Sequence, residues 1–190
     1  MTLPLPPGCY CALWNNADGY ARAFAGFPGH YETGDAGYVG ADGFVTIMGR
    51  TDDIINVAGH RLSTGQMEQI VAAHPAIVEC AVIGVDDAIK GMVPMAFAVA
   101  KAGQWDEAAL PNDIIKAVRD ELGPVAALKQ VYIVDALPKT RSGKILRAAL
   151  RKVAIGERIE MPSTIESPAA LEAIIALFEK ADDVDGRLCG

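Results

Sequence analysis

The sequence predicts an α+β fold, with a three-stranded sheet flanked by helices in a small domain and a β-hairpin ahead of it. Two largely apolar runs, 77–85 and 92–100, are typical of strands that are covered on both faces, and 129–134 is predicted as a third strand. Apolar residues at 67, 70 and 71 recur with the period of a helix. With 190 residues, 51% of them hydrophobic, the chain can bury a core of this size.

Three segments carry the helical part of this prediction. The first begins after Ser63 or Thr64, either of which can cap a helix. The second covers 106–122, and Gly-Pro stops it immediately afterwards. The third covers 145–153 and is expected to turn its cations towards solvent; these are Arg147, Arg151 and Lys152.

The β-hairpin is predicted in the first 51 residues. The β-rich runs 38–39 and 44–48 flank an Asp-Gly turn at 42–43. Because an isolated hairpin is barely stable in water, this one is expected to need a partner surface.

Bulk properties exclude several classes of protein. The formal net charge of −7, with no compensating basic stripe, argues against general nucleic-acid binding. The Pro-rich start does not resemble a signal peptide, and no apolar run is long enough to span a bilayer. The histidines and cysteines have no metal-ligand spacing, which predicts no metal site and reduced thiols in the cytoplasm or an organelle matrix. The cysteines are Cys9, Cys11, Cys80 and Cys189.

A basic loop at 137–147 is the strongest functional signal. Lys139, Arg141, Lys144 and Arg147 lie between a predicted strand and a predicted helix, where Pro, Ser and Gly favour a loop. Such a loop can present positive charge to a phosphate or carboxylate, although a solvated basic turn is the simpler interpretation. It is not a P-loop, since both the first glycine and the Ser/Thr that would hold magnesium are missing.

Residues 138–145 (Pro-Lys-Thr-Arg-Ser-Gly-Lys-Ile) resemble the C-terminal signature of AMP-forming acyl-CoA synthetases, in the adenylate-forming superfamily. Two upstream motifs in the expected order, 31–35 and 49–61, carry the same resemblance. Residues 55–64 look closest to the acetyl- and propionyl-CoA synthetase branch. The resemblance extends from about residue 31 to residue 164.

The resemblance implies a two-step ligase that uses ATP, with Mg²⁺, and CoA. A short-chain carboxylate, acetate or propionate, attacks the α-phosphate to give acyl-AMP, and the CoA thiol then attacks the acyl-AMP. Lys144 would bridge the carboxylate and the α-phosphate, where a fixed ammonium stabilises developing charge. The same lysine is a site of reversible acetylation in the family, so an acetyltransferase and a deacetylase are implied partners.

Two residues of the upstream motifs are implied to bind the nucleotide. Asp35, in Tyr-Glu-Thr-Gly-Asp, would accept hydrogen bonds from both ribose hydroxyls, a role that suits an ionised carboxylate. Arg50 would touch the ribose or the phosphates. Considered alone, Asp35 is more simply interpreted as a turn residue after Gly34.

The segment 49–61 supplies three further implied roles. Asp52 would be the pivot between a large N-terminal domain and a small C-terminal one. Gly59 would line the tunnel for the pantetheine arm of CoA, since only a residue without Cβ lets a thin arm pass flush with the backbone. Arg61 would contact phosphate during adenylation. The structural alternative is a hairpin, 54–57 and 60–62, with Gly59 in its turn.

Arg119 lies on the second predicted helix. Its sequence spacing from Lys144 matches that of an arginine that binds CoA phosphates in short-chain acyl-CoA synthetases. A solvated helix-surface arginine is the open alternative.

The resemblance divides the chain into the end of a large adenylating domain (1–51), a mobile C-terminal domain (52–156) and a tail with a short helix (157–190). The 163–165 tail leans towards propionate-type members.

The resemblance also implies that the adenylating domain must be supplied from elsewhere. No phosphate loop, adenine pocket or acyl-binding wall is recognisable in these residues. The chain by itself is therefore expected to be inactive. The alternative function is a non-catalytic interaction module that docks on a nucleotide-binding partner.

Overall fold

The computed structural model describes residues 11–27, 30–103, 105–106 and 108–185. The chain divides into two compact units, Met1–Asp52 and Asp53–Gly190. In the described residues, no helix is both long enough and apolar enough to cross a membrane.

The first unit contains one helix and one hairpin. Helix α1 (Ala17–Ala25) is capped by Asn16, whose side-chain oxygen accepts a hydrogen bond from the Gly19 N–H at 2.8 Å. Strand β1 (Asp35–Val39) pairs antiparallel with β2 (Val45–Arg50). The predicted hairpin is thus confirmed, and it is longer than the sequence indicated; α1 was not predicted.

The second unit is built on a five-stranded sheet. Its strands are β3 (Ile54–Val57), β4 (His60–Ser63), β5 (Ile77–Asp87), β6 (Gly91–Ala100) and β7 (Gln130–Ile133). The order is β4-β3-β6-β5, and β7 also pairs with β6, in parallel. Because β5 occupies one edge of β6, strands β3 and β7 share its other edge.

Helices cover both faces of this sheet. They are α2 (Thr64–Ala73), α3 (Leu110–Leu122), α4 (Arg147–Ala154) and α5 (Pro168–Asp185). Side chains alternate along β6, so that Ala96 and Ala98 face the core under α2 and α3, while Met95 and Phe97 face the core under α4 and α5. The predicted α+β class is therefore confirmed, with its sheet between two helical layers.

The sheet and the helices differ from the predicted ones in four details. The three predicted strands are β5, β6 and β7, and the β3–β4 hairpin enlarges the sheet because Val57 pairs with Gly91. Helix α3 begins at Leu110, because the carboxylate of Asp106 accepts hydrogen bonds from the two N–H groups ahead of the helix. Helix α4 begins at Arg147, since Ile145 forms a β-bridge instead. Helix α5, expected in a tail, contributes buried side chains to the core.

Candidate functional site

Residues 138–146, called the lysine loop below, form a tight hydrogen-bonded turn. The Thr140 N–H donates to the Lys144 carbonyl at 2.8 Å, and the Gly143 N–H donates to the Thr140 carbonyl at 2.8 Å. The Lys144 N–H donates in turn to the Thr140 hydroxyl at 3.1 Å. Gly143 has a φ of +80°, which is why glycine suits this position. Hydrogen bonds between its own residues therefore hold the shape of this loop.

The lysine loop is also joined to the segment that precedes α5. The Arg141 N–H donates to the Thr164 carbonyl at 3.0 Å, and the Glu166 N–H donates to the Lys139 carbonyl at 2.8 Å. Ile165, between those two partners, is buried in the core. These backbone hydrogen bonds therefore join the loop to a segment whose central side chain is buried in the core.

Two of the four cations in segment 137–147 are occupied within the protein. Lys139 forms an ion pair with Glu79 of β5. Arg147 binds Glu68 of α2 through both its Nε and its Nη2 atoms, with distances of 3.1, 2.9 and 2.8 Å. The prediction that Arg147 faces solvent is therefore wrong, because Glu68 draws it inward.

Lys144 is exposed and lies at the closing end of this turn, opposite Thr140. Among the described residues neither Lys144 nor Arg141 takes part in an ion pair, and both are exposed. The four cations thus differ in role, since the outer two secure the loop and the inner two present charge to solvent.

Glu68 is the residue that sequence reasoning missed. Its carboxylate accepts a hydrogen bond from the Val82 N–H at 2.9 Å in addition to those from Arg147, and its side chain is 17% exposed. On α2, Glu68 lies four residues after the buried Thr64 and three before the buried Val71. This helical spacing predicts that Glu68 lies on the buried side of the helix, at the edge of the core.

Two pKa values reflect the environment around Glu68. Burial, reinforced by the charge of Glu68, raises the pKa of the Cys80 thiol to about 11. Burial by itself would lower the pKa of Arg147, but the hydrogen bonds and charge of Glu68, with the charge of Asp53, raise it above its ordinary value. Arg147 therefore stays charged, and the Cys80 thiol stays protonated.

Gly59 lies in the turn of the β3–β4 hairpin. Ala58 and Gly59 have φ values of +48° and +86°, so the turn geometry alone explains a glycine here. A Cβ built on Gly59 meets nothing within 4 Å, and Gly59 is exposed. Arg61, exposed on β4, pairs with Asn56 of β3.

The Gly59 turn is attached to a basic cavity that contains Arg119. The Ala58 N–H donates to the Lys90 carbonyl at 2.8 Å. Lys90 and Arg119, together with Lys129, line a cavity of about 390 Å³ whose apolar walls come from α3 and from residues 124–128. Arg119 is exposed near the end of α3, so three cations surround this one depression.

Asp35 and Arg50 contact each other in the first unit. They are cross-strand partners of β1 and β2, and the Arg50 Nη1 atom lies 3.3 Å from the Asp35 Oδ1 atom. Arg50 also donates to the Thr33 carbonyl at 2.7 Å, across Gly34. The side chains of Arg50 and Asp35 are 51% and 36% exposed, which leaves both accessible to a ligand.

The remaining predicted residues stand on separate elements. Asp52 lies in the short 3-10 helix Thr51–Asp53, and its side chain is outside the described residues. The hairpin of Gly59 and Arg61, the helix of Arg119 and the lysine loop are three different parts of the second unit. The described residues include no group of three or more His, Cys, Asp or Glu side chains placed to hold a metal ion.

Comparison with known proteins supports the resemblance to acyl-CoA synthetases over most of the chain. Residues 66–144 match the AMP-binding enzyme C-terminal domain. The chain is 54% identical over 179 residues to an uncharacterized protein of Pseudomonas aeruginosa, covering 93% of this chain and 28% of that protein. It is 49% identical over 180 residues to acyl-CoA synthetase short-chain family member B, mitochondrial, of Dictyostelium discoideum, covering 94% of this chain and 26% of that protein.

A solved structure shows the same architecture. Acetoacetyl-CoA synthetase from Streptomyces lividans matches with a TM-score of 0.73 and 26% identity, over 90% of this chain and 26% of that chain. The chain spans between 26% and 28% of the length of these relatives.

Proposed function

This chain carries an AMP-binding enzyme C-terminal domain and is related to the C-terminal part of AMP-forming short-chain acyl-CoA synthetases. We propose that it functions as that C-terminal part in a ligase of this kind. The enzyme activates a short-chain carboxylate, acetate or propionate, with ATP to acyl-AMP and transfers the acyl group to CoA. The chain contributes the lysine loop to the first step and the Gly59 hairpin to the second. The adenylating domain is its partner.

The presentation of Lys144 is the observation that carries this proposal. Its side chain is exposed beside a hydrogen-bonded turn, and two nearby cations, Lys139 and Arg147, are held in ion pairs. A charge held this way reaches a carboxylate and an α-phosphate without reorganising during the reaction. Phosphoryl chemistry depends on such positioned charge more than on covalent participation.

The basic cavity supports a CoA-binding role for Arg119. Lys90 and Lys129 add two cations that the sequence did not identify, and three cations suit the several phosphates of CoA. The hydrogen bond from the Ala58 N–H to the Lys90 carbonyl joins a residue that lines this cavity to the Gly59 turn. We infer that the phosphates of CoA bind at Arg119 and its pantetheine arm passes Gly59.

Asp35, Arg50, Asp52 and Arg61 have further proposed roles, each considered within its own unit. The exposed Asp35–Arg50 pair supports a ribose-binding role, because the carboxylate retains lone pairs for two hydroxyls. The division of the chain into two units beside Asp52 supports a pivot there. Arg61, exposed on β4, is proposed to contact phosphate during adenylation.

A chimera tests the proposal directly. This chain replaces the matching C-terminal part of the Dictyostelium relative, and the two half-reactions are measured separately with acetate and propionate. Lys144→Ala is expected to lower acyl-AMP formation by about 10²- to 10³-fold, as expected for the loss of a charge stabiliser. Thioester formation from supplied acyl-AMP is expected to survive.

Lys152→Ala is the matched control, because it removes an exposed lysine from α4. An equal loss of both half-reactions in Lys144→Ala would contradict the assigned role. A folded chimera with no activity, together with binding of the 190-residue chain to a nucleotide-binding protein, would favour the interaction module instead.

Three finer proposals follow from the same relationship. Mg²⁺ is proposed to arrive with ATP. Acetylation of Lys144 would remove its charge, and the exposure of Lys144 supports access by an acetyltransferase; mass spectrometry of the native protein tests this modification. A cytoplasmic or organelle-matrix location is proposed, in keeping with the mitochondrial name of the Dictyostelium relative.

A further inference from the structure

Two ion pairs bracket Lys144 along the chain. Lys139, five residues before it, binds Glu79 of β5, and Arg147, three residues after it, binds Glu68 of α2. The hydrogen bonds inside the lysine loop fix its shape, but they do not fix its place on the domain. Buried Pro138 anchors one end of the loop, and Ile145 and Leu146 pack against the core at the other. The two ion pairs and the backbone bonds to residues 164 and 166 add to this anchorage.

We propose that Glu68 and Glu79 are positioning residues for Lys144, because through Arg147 and Lys139 they hold the lysine loop in the place that adenylation requires. The inference rests on the role proposed for Lys144. It adds that the adenylation rate depends on two carboxylates that contact neither ATP nor the acid.

Glu68 is the stronger of the two holding points. The Val82 N–H fixes one carboxylate oxygen from the sheet side, and the planar guanidinium of Arg147 engages both oxygens. A bidentate pair of this kind fixes direction as well as distance. In contrast, Arg151 on the same helix meets Asp86 at 3.7 Å, and the Asp86 side chain is 76% exposed. A pair like that is expected to contribute little.

The position of Glu68 also links the two functional segments of this unit. Helix α2 begins immediately after β4, which is the second strand of the Gly59 hairpin. The Glu68–Arg147 pair therefore joins the element that follows that hairpin to the helix that follows the lysine loop. A swing of the domain would then move Lys144 and Gly59 as one body.

The kinetic test uses the chimera with Glu68→Gln, Arg147→Gln and both changes together. Glutamine keeps Oε1 for the Val82 N–H, but it removes the negative charge and the second oxygen, Oε2, that accepts from Arg147, so the bidentate ion pair is lost. Acyl-AMP formation is expected to fall about 10- to 100-fold, since displacement of about 1 Å can cost this much. The double variant is expected to be no slower than the slower single variant, because the pair acts as a unit. Thioester formation from supplied acyl-AMP is expected to be unchanged.

Glu79→Gln tests the second holding point, and it is expected to give a smaller loss of the same half-reaction. Arg151→Gln is the matched control, since it removes an arginine with an exposed partner from the same helix. Arg147→Lys keeps the charge without the planar fork and is expected to restore part of the rate.

Hydrogen exchange on the 190-residue chain measures the position of the loop without any activity. The Thr140, Gly143 and Lys144 amides are expected to exchange about 10-fold faster in Arg147→Gln than in the unchanged chain. Amides of β6 report whether the variant is folded, and they are expected to be unchanged.

Three results would overturn the inference. The first is an adenylation rate in Arg147→Gln equal to that in Arg151→Gln. The second is an equal loss of both half-reactions together with faster exchange in β6, which indicates a merely structural role. The third is normal adenylation in Lys144→Ala; this result removes the proposed function as well, and the lysine variant identifies that cause.

Discussion

The two hairpins of this protein have similar local chemistry and opposite surroundings. Each has a glycine with a φ near +85° in its turn, Gly43 in β1–β2 and Gly59 in β3–β4. Large apolar side chains of the first hairpin that the structure describes are between 58% and 75% exposed; they are Tyr38, Val39, Phe44, Val45 and Ile47. In the second hairpin, Ile55 and Val57 are each 1% exposed.

This difference shows that coverage, rather than strand pairing, makes a hairpin part of a stable core. The β3–β4 hairpin is joined to β6, and its buried side chains lie in the core under α2 and α3. In the described residues of the first unit, no comparable layer covers the β1–β2 hairpin. A two-stranded hairpin gains little stability until a third element buries one face.

The largest expected effect is the loss of a large side chain from the covered hairpin. Ile55→Ala is expected to lower the free energy of unfolding by about 2–5 kcal/mol, because it leaves a cavity in a packed core. Ile47→Ala is the matched change in the exposed hairpin and is expected to cost about 0.5 kcal/mol or less. Urea titration followed by circular dichroism measures both, and equal losses would mean that Ile47 is covered as well.

The second effect compares a covered thiol with an exposed one. The folded-state pKa of Cys80 is about 11, against an ordinary value of 9.0. Between these two values the unfolded chain loses the proton and the folded chain keeps it, so the stability contribution is complete below pH 9.0 and is lost as the pH rises towards about 11. The loss is expected to be at most about 2–3 kcal/mol.

Cys80→Ala supplies the reference for this titration. The difference in unfolding free energy between the two chains, followed from pH 8 to pH 11, isolates the Cys80 contribution. Alkylation followed by peptide mass spectrometry is expected to label the exposed Cys11 well before the buried Cys80. Labelling at equal rates would show that the strand around Cys80 opens readily.

The third comparison distinguishes the strain that a side chain causes in a turn from the obstruction of the CoA pantetheine arm. Gly59→Leu and Gly43→Leu both force a side chain into a left-handed backbone, and each is expected to cost about 1–2 kcal/mol of stability. A Cβ meets nothing within 4 Å at either position, so backbone strain, rather than a steric clash, is the cost that both variants share.

Only Gly59→Leu is expected to block thioester formation in the chimera, while ATP–pyrophosphate exchange continues. Gly43→Leu controls for the cost of the strained turn. If the two variants form thioester equally well, Gly59 is a turn residue and nothing more.

The smallest effect concerns the exposed ion pair of the first hairpin. Asp35→Asn is expected to change the free energy of unfolding by about 1 kcal/mol or less, since exposed pairs are screened by water and salt. Its effect on acyl-AMP formation in the chimera is expected to appear as a higher KM for ATP. A large loss of stability would show that the pair is covered.

The sequence by itself determined the α+β class, the strands β5, β6 and β7, and the basic loop that carries Lys144. Continuous apolar runs and a short motif are local patterns, so they are visible without coordinates. The 49–61 motif also indicated Gly59 and Arg61, and the spacing from Lys144 indicated Arg119; their roles stay predictions.

Only the tertiary structure decided which charges are available to a ligand. Lys139 and Arg147 look like Lys144 in the sequence, but Glu79 and Glu68 occupy them. Arg147 and Glu68 lie 79 residues apart, and no local pattern predicts a contact at that distance. The same reason explains Lys90 and Lys129, which come together with Arg119 only when β5, β6 and α3 pack. Burial and pairing depend on the whole fold, whereas residue type and period are properties of a short segment.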